Sequence, residues 1–193
     1  MDGILKRRCA PTRGSSGNEL ENELTNQQAL NIDETGHPHN KTLAWLLVFA
    51  TNTFAFFTIR ASRGSRVIRS VPGELFDGII ISDRFSAYIK YHKDRTCGLL
   101  QLCRAHIIRD VKALSSEPAH TSQEPFSRLM RQRIGAVFSL WHAHKHSSLS
   151  RERLVAMAQP LLLEMRTFLE QNLNAPSLAV SRFCGQLLKN LSS

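Results

Sequence analysis

The sequence predicts a mixed α/β fold, a sheet flanked by helices, followed by an all-helical region. Three observations predict it. Short apolar runs of strand length, rich in β-branched and aromatic residues, recur up to residue 103. Between them lie amphipathic segments with helical spacing. After about residue 117 the strand-like runs stop and long helical periodicities take over.

The elements follow in order. Residues 1–17 are rich in Arg, Gly and Ser without periodicity, and NELENELTNQQ (18–28) suits one short polar helix, so residues 1–24 are read as a disordered basic arm running into it. ALNID (29–33) is the first strand. The uncharged stretch TLAWLLVFATNTFAFFTI approaches the length of a membrane span, yet Thr51, Asn52 and Thr53 break it in the middle. A hairpin of LAWLLVFA (43–50) and FAFFTIR (54–60) is expected instead, with no membrane segment. Val67, Ile68 and Val71 give a short helix stopped by Pro72-Gly73. GIIISD (78–83) is almost wholly apolar, as a central strand covered on both faces should be. FSAYIKYH (85–92) is a helix, GLLQLC (98–103) a strand and AHIIRDVKALSS (105–116) a helix. Residues 25–116 thus form the α/β core.

Residues 117–193 form the helical region. Phe126, Met130, Ile134, Val137, Phe138 and Trp141 share one face. Leu154, Ala158, Leu161, Met165, Phe168 and Leu169 share another, on a helix that Pro160 should kink or split. A third helix is expected with Pro176 in its first turn and Val180, Phe183, Leu187, Leu188 and Leu191 as its apolar face. Trp45 and Trp141 read as core, and Tyr88 as a ring packed against the sheet.

The charge balance narrows the partner. Among 193 residues, 25 Lys and Arg face 16 acids, a net charge of +9, with a pI near 10.0. That surplus favours a polyanion, most often nucleic acid. The 4 cysteines form no CxxC pair and suit reduced thiols in a cytosolic protein, and the N-terminus has no apolar core of signal-peptide length.

Two apolar runs carry an aspartate at the end, Asp33 and Asp83. A carboxylate at a buried strand end is costly unless a cation meets it, and two on neighbouring strands repel each other. A divalent metal resolves both problems, because Mg²⁺ takes hard carboxylate oxygens together with water and phosphate. Such sites activate water or a hydroxyl in phosphodiester chemistry. Turn and helix-cap roles fit the same two aspartates. Glu34 alternates to the opposite strand face and reads as a surface or turn residue. Arg60, Arg63, Arg66 and Arg69 either hold phosphates or form a solvated basic helix start. Cys103 and His106 make a C-x-x-H step with no second half-site for zinc, and the alternating His142, His144 and His146 scatter around a helix axis.

The series N-I-D-E-T-G-H, W-L-L-V-F, S-R-G-S, G-I-I-I-S-D-R-F-S-A-Y and Q-L-C-R-A-H-I-I-R-D, in this order, resembles transposases of the insertion sequence sixty-six family across residues 25–190. The resemblance implies a ribonuclease-H-like fold with a triad of acids, Asp33 the first and Asp83 the second, both metal ligands for Mg²⁺ or Mn²⁺. It implies DNA as the partner, hydrolysis at transposon ends, strand transfer into target DNA, and a cytoplasmic, nucleoid-associated location in a bacterium. It also implies that Cys103 and His106 support the metal pocket. The family's third acid lies in an N-N-x-x-E-R motif that does not occur here, so the expectation is a core ending before its final catalytic helix, with catalysis impaired. The alternative is a non-catalytic DNA-binding or oligomerisation fragment that pairs with a full-length transposase and modulates it.

Overall fold

A computed structural model describes residues 15–39, 42–94, 98–116 and 124–191. Residues 1–14, with Cys9, residues 95–97, with Cys97, and residues 117–123 lie outside the described residues. The chain clusters into two compact units, Met1–Cys103 and Arg104–Ser193.

The first unit holds a five-stranded sheet. Its elements are α1 (Ser15–Leu24), β1 (Ala29–His39), β2 (Thr42–Ala50), β3 (Ala55–Arg60), α2 (Ser65–Ser70), β4 (Ile79–Ser82), α3 (Ser86–Asp94) and β5 (Leu99–Leu102). The strand order is β3-β2-β1-β4-β5. β1 pairs antiparallel with β2, and β2 with β3. β4 is parallel to both β1 and β5. The polar helix expected over 18–28 begins at Ser15 and ends at Leu24, so the stretch read as an arm is helical from residue 15.

The uncharged stretch forms the expected hairpin. Thr51 closes its turn: its N–H donates to Phe54 O at 2.8 Å, and its Oγ1 accepts from the N–H groups of Thr53 at 3.1 Å and Phe54 at 2.9 Å. A Thr hydroxyl in this place mimics a backbone turn. Among the described residues no helix is long and apolar enough to cross a membrane.

Strand alternation sorts the two sheet faces. Leu30 and Ile32 on β1, Leu47 and Phe49 on β2 and Ile80 on β4 join Ile68 and Val71 around α2, Tyr88 and Tyr91 of α3, and Leu24 of α1 in one buried core. Each large side chain so buried contributes about 1.5–3 kcal/mol. The opposite face carries Asn31 and Asp33 on β1, Phe57 and Ile59 on β3 and Leu99 on β5, all exposed. Gly73, at φ 86°, ends the α2 region just after Pro72, where the break was expected, and its left-handed backbone is one that glycine adopts freely.

One expectation for β1 is corrected. Asp33 does not end the strand, which runs on to His39. The parallel ladder with β4 is recorded from Ala29↔Ile79 to Asn31↔Ile81 only, whereas β2 stays paired with β1 from Asn31 to His39 and carries it onward.

The second unit consists of α4 (Arg104–Ser116), α5 (Glu124–Lys145), α6 (Arg151–Gln171) and α7 (Leu178–Leu191). Helix α4, read from the sequence with the sheet, clusters with these later helices. The Phe126 ring stacks on Phe168 at 5.3 Å and meets Phe183 edge-on at 6.1 Å, tying α5, α6 and α7 together. Pro160 does not split α6. Both Pro160 and Ala156, whose carbonyl loses its partner, are exposed, so the proline sits where solvent is at hand. Helix α7 starts at Leu178, with Ser177 Oγ accepting from Val180 N–H at 3.4 Å, so Pro176 precedes the helix rather than opening it. Trp141, read as core, is 43% exposed and lies 5.9 Å from the His144 ring.

Candidate two-carboxylate site

The site is built by the parallel pairing of β1 and β4. Asn31 and Ile81 are register partners, and Asp33 and Asp83 each lie two positions further along. The sheet therefore brings the two aspartates to equivalent positions, where β4 has ended and β1 continues. Asp33 is exposed and Asp83 half-buried. Asp33 Oδ1 accepts from Glu34 N–H at 3.0 Å. Asp83 Oδ1 accepts from Phe85 N–H at 2.8 Å, a turn that leads into α3. Asp83 thus makes the turn contact its sequence context suggests, whereas Asp33 lies inside β1 and neither turns nor caps the chain.

Behind them lies a cluster the sequence reading missed. Glu34 points to the core face as alternation requires, but its side chain is only 3% exposed, which corrects its reading as a surface residue. Two donors satisfy it. Arg63 Nη1 bonds Glu34 Oε1 at 3.0 Å, and Tyr88 OH bonds Glu34 Oε2. The Arg63 guanidinium lies between two rings, 4.0 Å from the centroid of Trp45 and 4.1 Å from that of Phe85. Burial first, then the bond to Glu34 and the negative charges of Glu34, Asp83 and Asp33, push the Tyr88 phenol far above its ordinary pKa. Tyr88 is therefore the donor. The available signal was the alternation itself: an acid on a core face demands a cationic or hydroxyl partner.

The four arginines separate. Arg63 is taken up by Glu34 and the two rings. Arg69 bonds Asp94 at 2.6 Å and Glu74 at 3.3 Å. Arg60 lies 3.8 Å from Glu21, and Arg66 is exposed on α2. Cys103 follows β5, and its N–H donates to Ser82 O at 2.6 Å, while His106 lies in the first turn of α4, in the other unit. Among the described residues no group of three or more His, Cys, Asp or Glu is disposed to hold a metal ion. His142 stacks between Phe138 at 6.1 Å and His146 at 6.4 Å, while His144 Nδ1 is 2.8 Å from Leu149 O, so only His144 diverges and the expected scatter fails for His142 and His146, which share a face four residues apart.

Carboxylate oxygens are hard donors of the kind that fill part of the shell of Mg²⁺ or Mn²⁺, which keep several water ligands. In donor chemistry alone, the carboxylates of Asp33 and Asp83 are of the type that suits such an ion.

Comparison with known proteins adds the family. No curated protein matches the chain. Among solved structures, a similar one is the cryo-EM structure of the simian T-cell lymphotropic virus intasome in complex with the PP2A regulatory subunit B56 gamma. The identity is 15% over 68% of this chain, which spans 46% of that chain, with a TM-score of 0.32, too loose a likeness to fix a topology. The family model described as Transposase IS66 family matches residues 6–191, nearly the whole sequence. The chain belongs to the IS66 transposase family.

Proposed function

We propose that this chain is the catalytic core of a DDE-type DNA transposase, a ribonuclease-H-like sheet on which Asp33 and Asp83 hold a divalent cation, Mg²⁺ or Mn²⁺, and DNA is the substrate. The observation that carries the reading is the parallel register of β1 and β4, which puts the two aspartates at equivalent positions. The order β3-β2-β1-β4-β5, with an antiparallel meander joined to two parallel strands, supports it, as does family membership.

When bound, the cation supplies Lewis-acid activation of a water or 3′-hydroxyl and stabilises the leaving oxygen. The chain's own residues do the rest. Asp33 and Asp83 offer oxygen ligands on the two central strands, where β4 ends, with Asp33 exposed to an approaching phosphodiester backbone. Exposed Arg66 binds phosphate without reading sequence. The net charge of +9 supports a polyanionic partner in the same way.

The test is Mn²⁺ binding, followed by electron paramagnetic resonance, together with nicking of supercoiled DNA, for the wild type, Asp33→Asn and Asp83→Asn. Each substitution is expected to abolish Mn²⁺ binding and any metal-dependent nicking. Unchanged Mn²⁺ binding in both variants would refute the site. Salt-sensitive DNA binding and Mn²⁺ binding without nicking in the wild type would favour the alternative, a non-catalytic module that binds DNA or pairs with an intact transposase.

A further inference from the structure

We propose that Glu34, Arg63 and Tyr88 form a positioning brace that sets the spacing between Asp33 and Asp83. The proposal rests on the reading of those two aspartates as cation ligands.

The physical need arises from the sheet. As far as Asn31↔Ile81, the spacing of β1 and β4 is set by ladder hydrogen bonds. Beyond that pair β4 ends at Ser82, and Asp83 sits on the turn into α3. No recorded ladder pair spans β1 and the chain at the level of the carboxylates. A side-chain link takes over at this point. Glu34 is the residue next to Asp33, and Tyr88 lies in the first turn of α3, whose entry Asp83 shapes through its bond to Phe85 N–H. The bond from Tyr88 OH to Glu34 Oε2 therefore ties the Asp33 backbone to the Asp83 turn.

Arg63 locks that link in place. It holds the second oxygen of Glu34, and its guanidinium is fixed by Trp45 of β2 on one ring and by Phe85, at the start of α3, on the other. Phe85 in turn meets the Tyr88 ring edge-on at 6.1 Å. Three separate parts of the unit, β1 with β2, the segment before α2 and the start of α3, converge on one buried carboxylate. Glu34 faces the core and Asp33 the opposite side, so the brace acts through the backbone and does not touch the cation or DNA. Partners outside the ligand shell orient ligands in this way, and their loss typically costs about 10- to 100-fold in metal affinity.

The experiment uses the full chain and Mn²⁺ alone as probe. Mn²⁺ affinity is measured for the wild type, Tyr88→Phe, Asp33→Asn and Asp83→Asn, and for Ile68→Ala, a core truncation in α2 with no polar link to either aspartate. All are compared well below their melting temperatures. Tyr88→Phe is expected to weaken Mn²⁺ binding about tenfold, whereas Ile68→Ala lowers the melting temperature and leaves the affinity unchanged. If Tyr88→Phe does not fold, Glu34→Gln takes its place: it keeps an acceptor for the phenol but weakens the Arg63 pair, and it is expected to lower the affinity in the same direction. Wild-type affinity in the brace variant, with binding lost in the two aspartate variants, would overturn the brace and leave the cation site standing. Wild-type affinity in the aspartate variants would overturn both.

Discussion

Replacing Arg63 with Met isolates the value of its charge. The Met side chain keeps apolar atoms between Trp45 and Phe85 but removes the donor 3.0 Å from Glu34 Oε1. Stripping the partner from a fully buried ion pair costs about 3–5 kcal/mol. Here Glu34 is 3% exposed but Arg63 is 38% exposed, so solvent already screens one side, and Tyr88 still donates to Glu34. The electrostatic share falls to about 2 kcal/mol. Two lost cation–π contacts at a half-exposed site add about 1 kcal/mol together. Arg63→Met should therefore destabilise the first unit by about 3 kcal/mol. Adding Glu34→Gln should return about 1–2 kcal/mol, because the amide oxygen still accepts from Tyr88 and no buried charge remains. Urea unfolding read by Trp45 fluorescence in a Trp141→Phe background reports this unit alone. A loss under about 1 kcal/mol, or a further loss on adding Glu34→Gln, would refute the reasoning.

Two further outcomes are expected. Gly78→Ala should cost about 2 kcal/mol, since a Cβ there would lie 2.7 Å from Gln27 O, 2.8 Å from Gln28 O and 2.5 Å from Phe76 Cζ, and Gln28 O is held in place by Ile79 N–H at 2.9 Å. A melting curve matching the wild type would show that the β1 approach yields freely. Burial raises the Cys184 thiol from its ordinary 9.0 to about 11, so the fold favours the protonated form, and its contribution is complete below pH 9 and lost as pH rises to 11. The second unit should lose stability across that window in the wild type and less so in Cys184→Ala, and peptide mapping should find Cys184 unalkylated by iodoacetamide at neutral pH until the unit is unfolded.

Much of this protein was legible locally. Strand and helix periods depend on neighbours two to four positions away, so the hairpin over residues 42–60, the buried run at Ile79–Ser82 and the three long helices after residue 124 could be read from apolar spacing alone. The aspartates were legible for the same reason, each standing out at the end of an apolar run. Exposure on long helices was not. Trp141 falls on the apolar side of its helix by spacing, yet which part of that side a neighbouring helix covers is a matter of packing, and Trp141 is left uncovered.

What the sequence by itself determined is the inventory: a basic chain of alternating strands and helices, two strand-associated aspartates, and the ordered motifs of a transposase family. Only the tertiary structure decided how far β1 runs and what Glu34 does. β1 continues past Asp33 because β2, the next strand in the chain, pairs with it there after β4 has stopped. Glu34 is a buried anchor because Arg63, 29 residues away, and Tyr88, 54 residues away, meet it across the fold. Pairing and burial at such separations depend on how elements stack in space, and no local period in the chain encodes that.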